Sequence, residues 1–148
     1  MHIGLTLAQV GPFAGPDSVT SMARSAEARG YSALWVLDRL LDPVAPRSSY
    51  PGTPDGALPE ERRIALDPLV TLATAAAHTS RIRLGTNILV APWYRPVLVT
   101  LPWRHSTLSW GRLDIGLGLG WSADEYDAVG VPQKRLAARQ EELLDVFD

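Results

Sequence analysis

The chain has no cysteine, which excludes disulfides, thiolate zinc sites and a cysteine nucleophile. Its three histidines, His2, His78 and His105, lie far apart and match no metal-ligand spacing, so no metal site is expected. No apolar run approaches the ~20 residues of a membrane span, and no basic-then-apolar leader opens the chain. A basic stripe is also lacking: arginines and acidic residues are interspersed, with a net charge of −2. Neither nucleic acid nor membrane is therefore an expected partner, and the expected compartment is the cytoplasm. No Walker loop, no Ser-His-Asp order and no internal repeat can be assigned. What is present is an ordinary globular composition, 46% hydrophobic and 20% charged over 148 residues. That length fits one domain, residues 1–148, and buries about 70% of the unfolded surface.

The most informative stretch is Leu113 to Trp121. Bulky Leu113, Ile115, Leu117 and Leu119 alternate with Asp114, Gly116, Gly118 and Gly120, the period of a strand with one nearly bare face. Ser122-Ala123-Asp124-Glu125 follows as a capping box that opens a helix. Upstream, Ile3–Leu7 reads as a short buried strand, and Asp17 or Ser18 caps a helix that Gly30 stops. Leu34–Leu37 is a second, wholly apolar strand of the kind found in parallel sheets. Asp38 to Leu66, with five prolines, is a long irregular segment of the functional or disordered kind. Asp67-Pro68 caps a helix closing near Ser80, and Ile82–Val90 is the third strand. A helix is expected from Pro96 to Leu101, where Pro102 kinks or ends it. The last helix places Leu136, Gln140, Leu143, Leu144 and Phe147 on one face. Strands alternating with helices imply an α/β fold with a parallel sheet of four βα units and right-handed crossovers.

Three groups of residues together resemble the luciferase-like monooxygenase superfamily. They are Leu66-Asp67-Pro68-Leu69-Val70-Thr71-Leu72; Thr79-Ser80-Arg81-Ile82-Arg83-Leu84-Gly85-Thr86; and Gly116-Leu117-Gly118-Leu119-Gly120-Trp121 with Glu125-Tyr126 and Gly130-Val131-Pro132. The branch most similar is the deazaflavin-dependent oxidoreductases that use coenzyme F-420. The resemblance covers Ile3 to Phe147 and implies half of a TIM (β/α)8 barrel, a fold that takes ~250 residues when whole. A half barrel leaves strands one and four as open edges, which template association. The expected partner is a second copy, a homodimer closed through strand edges.

Barrels of this kind carry their sites at the C-terminal ends of the strands. Asp38, Arg39 and Trp121 are the catalytic candidates. The resemblance places a histidine, a proton-transfer candidate, where this chain has Arg39; an arginine is a poor acid or base. Arg39 either holds an anionic group or is a surface residue paired with Asp38 or Asp42. Trp121, where some relatives carry a catalytic glutamate, is a pocket wall or a packing anchor. By the same resemblance Thr86, Asn87, Ile88, Gly118 and Gly120 bind the coenzyme, with a non-prolyl cis peptide between Asn87 and Ile88; an ordinary strand is the alternative there. The spacing of Gly116, Gly118 and Gly120 does not fit a dinucleotide fingerprint, which needs the first βα turn. The resemblance implies an oxidoreductase or monooxygenase that binds coenzyme F-420, or alternatively FMN, for hydride transfer to or from a small organic substrate. The other reading is a non-catalytic, truncated half barrel that forms an oligomeric assembly. Residues 101–112, with Pro102, Trp103 and Trp110, depart most from the family pattern.

Overall fold

The computed structural model describes residues 1–95 and 109–146. Strand β1 (Gly4–Thr6), helix α1 (Pro16–Ala28), β2 (Ala33–Val36), α2 (Pro68–Ala77), β3 (Arg83–Val90), β4 (Leu113–Gly118), α3 (Ala123–Ala128) and α4 (Leu136–Leu144) follow in that order. The four strands form one sheet in sequence order, all parallel. The helix expected from Pro96 to Leu101 lies outside the described residues.

Local chemistry accounts for most boundaries. Helix α1 begins at Pro16 rather than behind an Asp17 or Ser18 cap, because proline at the first helical position already has helical φ and lacks only an N–H that would be unpaired there. It ends in a Schellman motif: Gly30 takes φ +80°, its N–H donates to Glu27, and the Tyr31 N–H donates to Ala26. Asp67 caps α2, its carboxylate accepting from the Val70 N–H at 2.8 Å.

The main core lies between the sheet and helices α1 and α2. Leu34, Val36 and Leu84 from the strands meet Val19, Ala23, Ala26, Leu72 and Ala75 from the helices. A smaller cluster places Leu143 of α4 against Leu89 and Ala91. The apolar face expected on α4 is narrower than the sequence pattern: Leu143 is buried, but Leu144 is 46% exposed, and Phe147 lies outside the described residues.

Two polar side chains, buried Arg112 and half-buried Glu27, join elements that are distant in sequence. The Arg112 guanidinium donates to Ser109 O, Ile82 O, Ala76 O, Thr79 O and Thr79 Oγ1. It thus locks the start of β4 onto the C-terminal end of α2, where carbonyls are unpaired and a cation is favoured. The Glu27 carboxylate accepts from the N–H groups of Ser80, Arg81 and Ile82, fixing the turn into β3.

At the seam between β3 and β4 the register slips. Thr86 pairs with Ile115, but Leu89 pairs with Leu117, so β3 carries one extra residue, a bulge. The Asn87–Ile88 peptide inside it is cis.

Candidate functional site

A cavity of about 350 Å³ opens at the C-terminal ends of β2, β3 and β4. Asp38 and Arg39 reach it from the end of β2, Asn87, Ile88 and Val90 from β3, and Gly120 and Trp121 from the end of β4. Trp93, in the 3₁₀ turn after β3, and Glu125 of α3 complete its walls, with Tyr50 and Arg62 of the long segment. Residues from across the chain meet here because every parallel strand points its C-terminal end the same way.

Asp38 is 8% exposed. Its carboxylate accepts from the Val90 N–H at 2.9 Å and from the Tyr94 hydroxyl at 3.0 Å. Burial pushes it up to about 6, because the charged form loses water. The two donors oppose that rise, and the nearby charges of Glu125 and Asp67 add to it. Burial and the adjacent Asp38 charge push the Tyr94 hydroxyl upward as well.

Arg39 pairs with neither Asp38 nor Asp42. Its side chain is 9% exposed, with Nε 3.2 Å from Glu125 Oε1, while Asp42 faces Arg63 at 3.7 Å. Arg39 Nη2 donates to Leu41 O at 2.7 Å, and the guanidinium lies over the Trp121 ring, 5.5 Å from its centroid. Nη1 is buried and has no hydrogen-bond partner among the described residues; the same holds for Trp93 Nε1. Trp121 is both wall and anchor, since it also meets Tyr50 edge to face at 5.4 Å.

Glu125 is the residue that sequence reasoning misplaced. Ser122 Oγ does accept from the Glu125 N–H at 3.3 Å, the first half of the capping box. The Glu125 carboxylate does not return to the cap. It is 1% exposed and accepts instead from the N–H of Leu40 at 2.8 Å, beside Arg39. Gln9, fully buried, was also missed: its side chain holds Leu37 N, Leu37 O and Leu66 O, so one amide fastens both ends of the segment between Asp38 and Leu66. That segment is folded over the site. Arg47 pairs with Asp124 and Asp127 of α3, and the Ala123 N–H donates to Ser48 Oγ at 2.9 Å.

The glycine-rich face of the sheet is not bare. A Cβ on Gly85 would lie 2.3 Å from the Trp35 ring, and one on Gly118 would lie 2.2 Å from Ile88 Cδ1. Side chains from neighbouring strands fill the space, so Gly118 faces Ile88 rather than the cavity. Thr86 is buried, and its hydroxyl donates to Gly116 O and accepts from Gly116 N, each at 2.9 Å. Of the coenzyme candidates, Asn87, Ile88 and Gly120 reach the cavity; Thr86 and Gly118 stand behind its wall.

The residues present fit a flat ring coenzyme. Ile88, Val90 and Trp121 offer apolar surface for a ring face, and the side chains of Arg39 and Arg62 in the same lining offer donors to a ligand with acceptor atoms. Among the described residues no group of three His, Asp or Glu side chains is arranged to hold a metal ion, and no helix is long and apolar enough to cross a membrane.

Comparison with known proteins agrees with this geometry. The family model for luciferase-like monooxygenases matches residues 3–148. The uncharacterized protein Rv0953c of Mycobacterium tuberculosis is 36% identical over 153 residues, covering 99% of this chain and 52% of that protein. The chain thus spans about half the length of the curated relatives it matches. Among solved structures, the oxygenating constituent of 3,6-diketocamphane monooxygenase from Pseudomonas putida, in complex with FMN, superposes with a TM-score of 0.71 at 20% identity, over 97% of this chain and 37% of that one. The coenzyme F420 dependent tetrahydromethanopterin reductase from Methanopyrus kandleri gives 0.56 at 25% identity, over 88% and 30%. With four parallel βα-type strands in barrel order and the family pattern running from residue 3 onward, the chain belongs to the luciferase-like monooxygenase family.

Proposed function

We propose that the cavity at the ends of β2, β3 and β4 is the coenzyme and substrate site of an oxidoreductase or monooxygenase. The coenzyme is a deazaflavin, coenzyme F-420, or alternatively FMN, and the reaction is hydride transfer involving a small organic substrate. The observation that carries the reading is the cavity itself, with apolar surface from Ile88, Val90 and Trp121 beside the side chains of Asp38, Arg39 and Glu125. An F420-dependent enzyme and an FMN complex among the structural neighbours support it.

When bound, the ring coenzyme supplies the redox chemistry, and the protein supplies orientation and exclusion of water. Ile88, Val90 and Trp121 present the surface that a ring displaces water from. Asp38, pushed up to about 6, is the group able to hold or release a proton at its carboxylate near neutral pH. Arg39, held by Leu41 O and Glu125, serves as a positioned donor beside Trp121.

The homodimer belongs to the same proposal. Strands β1 and β4 each pair with one neighbour among the described residues, leaving a backbone edge for a second copy. A monomer by light scattering at micromolar concentration removes that part. The reading as a whole is tested by titrating the purified chain with FMN and with coenzyme F-420, following visible absorbance and tryptophan quenching. Saturable binding of either is expected. Failure of both, with a stable oligomer, returns the chain to a non-catalytic assembly module.

A further inference from the structure

A smaller cavity, of about 160 Å³, adjoins the first on the inner face of the sheet. Thr6, Trp35, Val36, Leu37, Arg62 and Asn87 line it, and Leu37, Arg62 and Asn87 line the main cavity as well. The register sets Thr6 beside Trp35 and Trp35 beside Gly85. Asn87 follows Gly85 by two residues, so these side chains share one face. The Trp35 ring lies across Gly4 and Gly85 as a floor. Arg62 comes from the long segment, in the 3₁₀ turn Glu60–Arg62. The Gly11 N–H donates to Ile64 O at 2.9 Å, and Val10 bridges Ala65, which ties that turn to the chain just after β1. The Arg62 guanidinium stands over the Tyr50 ring, 5.8 Å from its centroid.

Charge singles out Arg62. In the main cavity Arg39 is met by Glu125 at 3.2 Å, and the Asp38 carboxylate is taken by the Val90 N–H and the Tyr94 hydroxyl. Arg63 faces Asp42. Arg62 has no ion-pair partner among the described residues. Glu60 and Glu61, its neighbours in the turn, line neither cavity. In the smaller cavity Arg62 is the only charged lining residue. The Thr6 hydroxyl and the Asn87 amide beside it make no side-chain hydrogen bond among the described residues. A guanidinium, an amide and a hydroxyl in so small a space offer donors to an oxygen anion, with no carboxylate to oppose it. One cation balances a carboxylate, whereas a phosphate monoester brings about −1.5 to −2 charges.

We infer that the smaller cavity takes the carboxylate of an organic acid, paired with Arg62 and receiving hydrogen bonds from Asn87 and Thr6. The apolar body of the acid lies past Leu37, against Ile88 and Val90 of the main cavity. The inference names a substrate class for the proposed oxidoreductase site and rests on that reading.

The test is calorimetric titration of the full chain with cyclohexanecarboxylate, its methyl ester and inorganic phosphate. FMN, riboflavin and coenzyme F-420 are titrated in parallel. The acid is expected to bind saturably, about tenfold or more tighter than the ester or phosphate. Arg62→Gln is expected to weaken the acid about five- to twentyfold and leave the ester unchanged. Thr6→Val keeps the shape and should weaken the acid about two- to fivefold. Arg63→Gln removes an equal charge outside both cavities and should leave the acid affinity as it is. Circular dichroism checks that the variants fold. On the wild type itself, the acid should shift the Asn87 side-chain amide and the Trp35 indole N–H in proton–nitrogen NMR spectra. The inference is overturned if the acid does not bind, if the ester or phosphate binds as tightly, if Arg62→Gln binds the acid like the wild type, or if those two resonances do not move. A preference for FMN over riboflavin that Arg62→Gln abolishes, with acid affinity unchanged, assigns Arg62 to the coenzyme phosphate and also overturns it. Acid binding as expected with neither coenzyme bound leaves the carboxylate site standing while the broader reading of function falls. Coenzyme binding without acid binding overturns this inference alone.

Discussion

Replacing Glu125 with glutamine removes a charge from the centre of the site and almost nothing else. The amide oxygen can still accept from the Leu40 N–H, so the loop contact at 2.8 Å survives. What disappears is the attraction to Arg39, whose Nε lies 3.2 Å away with the two side chains 9% and 2% exposed. At an effective dielectric constant of ~20, two unit charges at that distance attract by about 5 kcal/mol before desolvation is counted. Relief of the Glu125 desolvation cost returns part of it, so Glu125→Gln is expected to cost about 2–3 kcal/mol. Arg39→Met alone strands a buried carboxylate and should cost about 3–5 kcal/mol. The double variant removes both charges, and its cost should fall short of the sum by about 2 kcal/mol or more. Urea denaturation of the four proteins at one protomer concentration, with unchanged m values, measures this coupling. Additivity to within about 0.5 kcal/mol would refute the idea that Arg39 and Glu125 form a closed, desolvated pair.

Three further outcomes follow from other parts of the structure. Asp38 carries a carboxyl pushed up to about 6, so the folded state binds its proton more tightly than the unfolded chain, and stability should fall as pH rises from ~4 to ~6. Asp38→Asn, which cannot ionise, is expected to be about 2–3 kcal/mol more stable than the wild type at pH 7 and no more stable at pH ~4, read from melting temperatures across that range. Glu27 behaves in the opposite sense. Burial raises it, but the N–H groups of Ile82, Arg81 and Ser80, with the Arg81 charge, outweigh that and hold it at about 2. Its stabilisation is present above ~4.5 and lost as pH falls through ~2; Glu27→Gln should cost about 1–2 kcal/mol at pH 7, allowing for screening, and progressively less in acid. Glycine substitutions separate backbone from side-chain crowding on the inner face. A Cβ at position 116 would meet Thr86 O at 2.4 Å, whereas one at 118 meets the tip of Ile88. Gly116→Ala is therefore expected to cost about 3 kcal/mol and Gly118→Ala about 1 kcal/mol, with Ile88→Ala rescuing only the second; equal costs in thermal unfolding would contradict the assigned faces.

The parallel sheet and the position of the site were legible in the sequence for one reason. Alternation of strand and helix signals fixes a parallel order, and parallel order gathers strand ends. Asp38, Arg39, Gly120 and Trp121 line the cavity because each sits just past such an end, while Asn87 and Ile88, which the family resemblance pointed to, join them from the bulge within β3. Partners of those residues were not legible. Glu125 carries a sound local signal for a cap, yet a long carboxylate three residues into a helix can reach a distant loop as easily as its own N-terminus. Gln9 lies outside any strand or helix, and nothing in its neighbourhood marks an amide that will bridge Leu37 and Leu66. The occupant of the glycine face depends on the register between β3 and β4, and the extra residue at Asn87–Ile88 sets that register. A single strand's pattern shows that space is left, not which neighbour takes it.

A crystal structure of the purified chain grown with FMN or with coenzyme F-420 puts the central claim to its most direct test. The account predicts the ring inside the cavity at the ends of β2, β3 and β4, with one face against Ile88 and Val90 and Trp121 at its border. A ring bound elsewhere on the chain, or full-occupancy coenzyme with this cavity still solvent-filled, would contradict it.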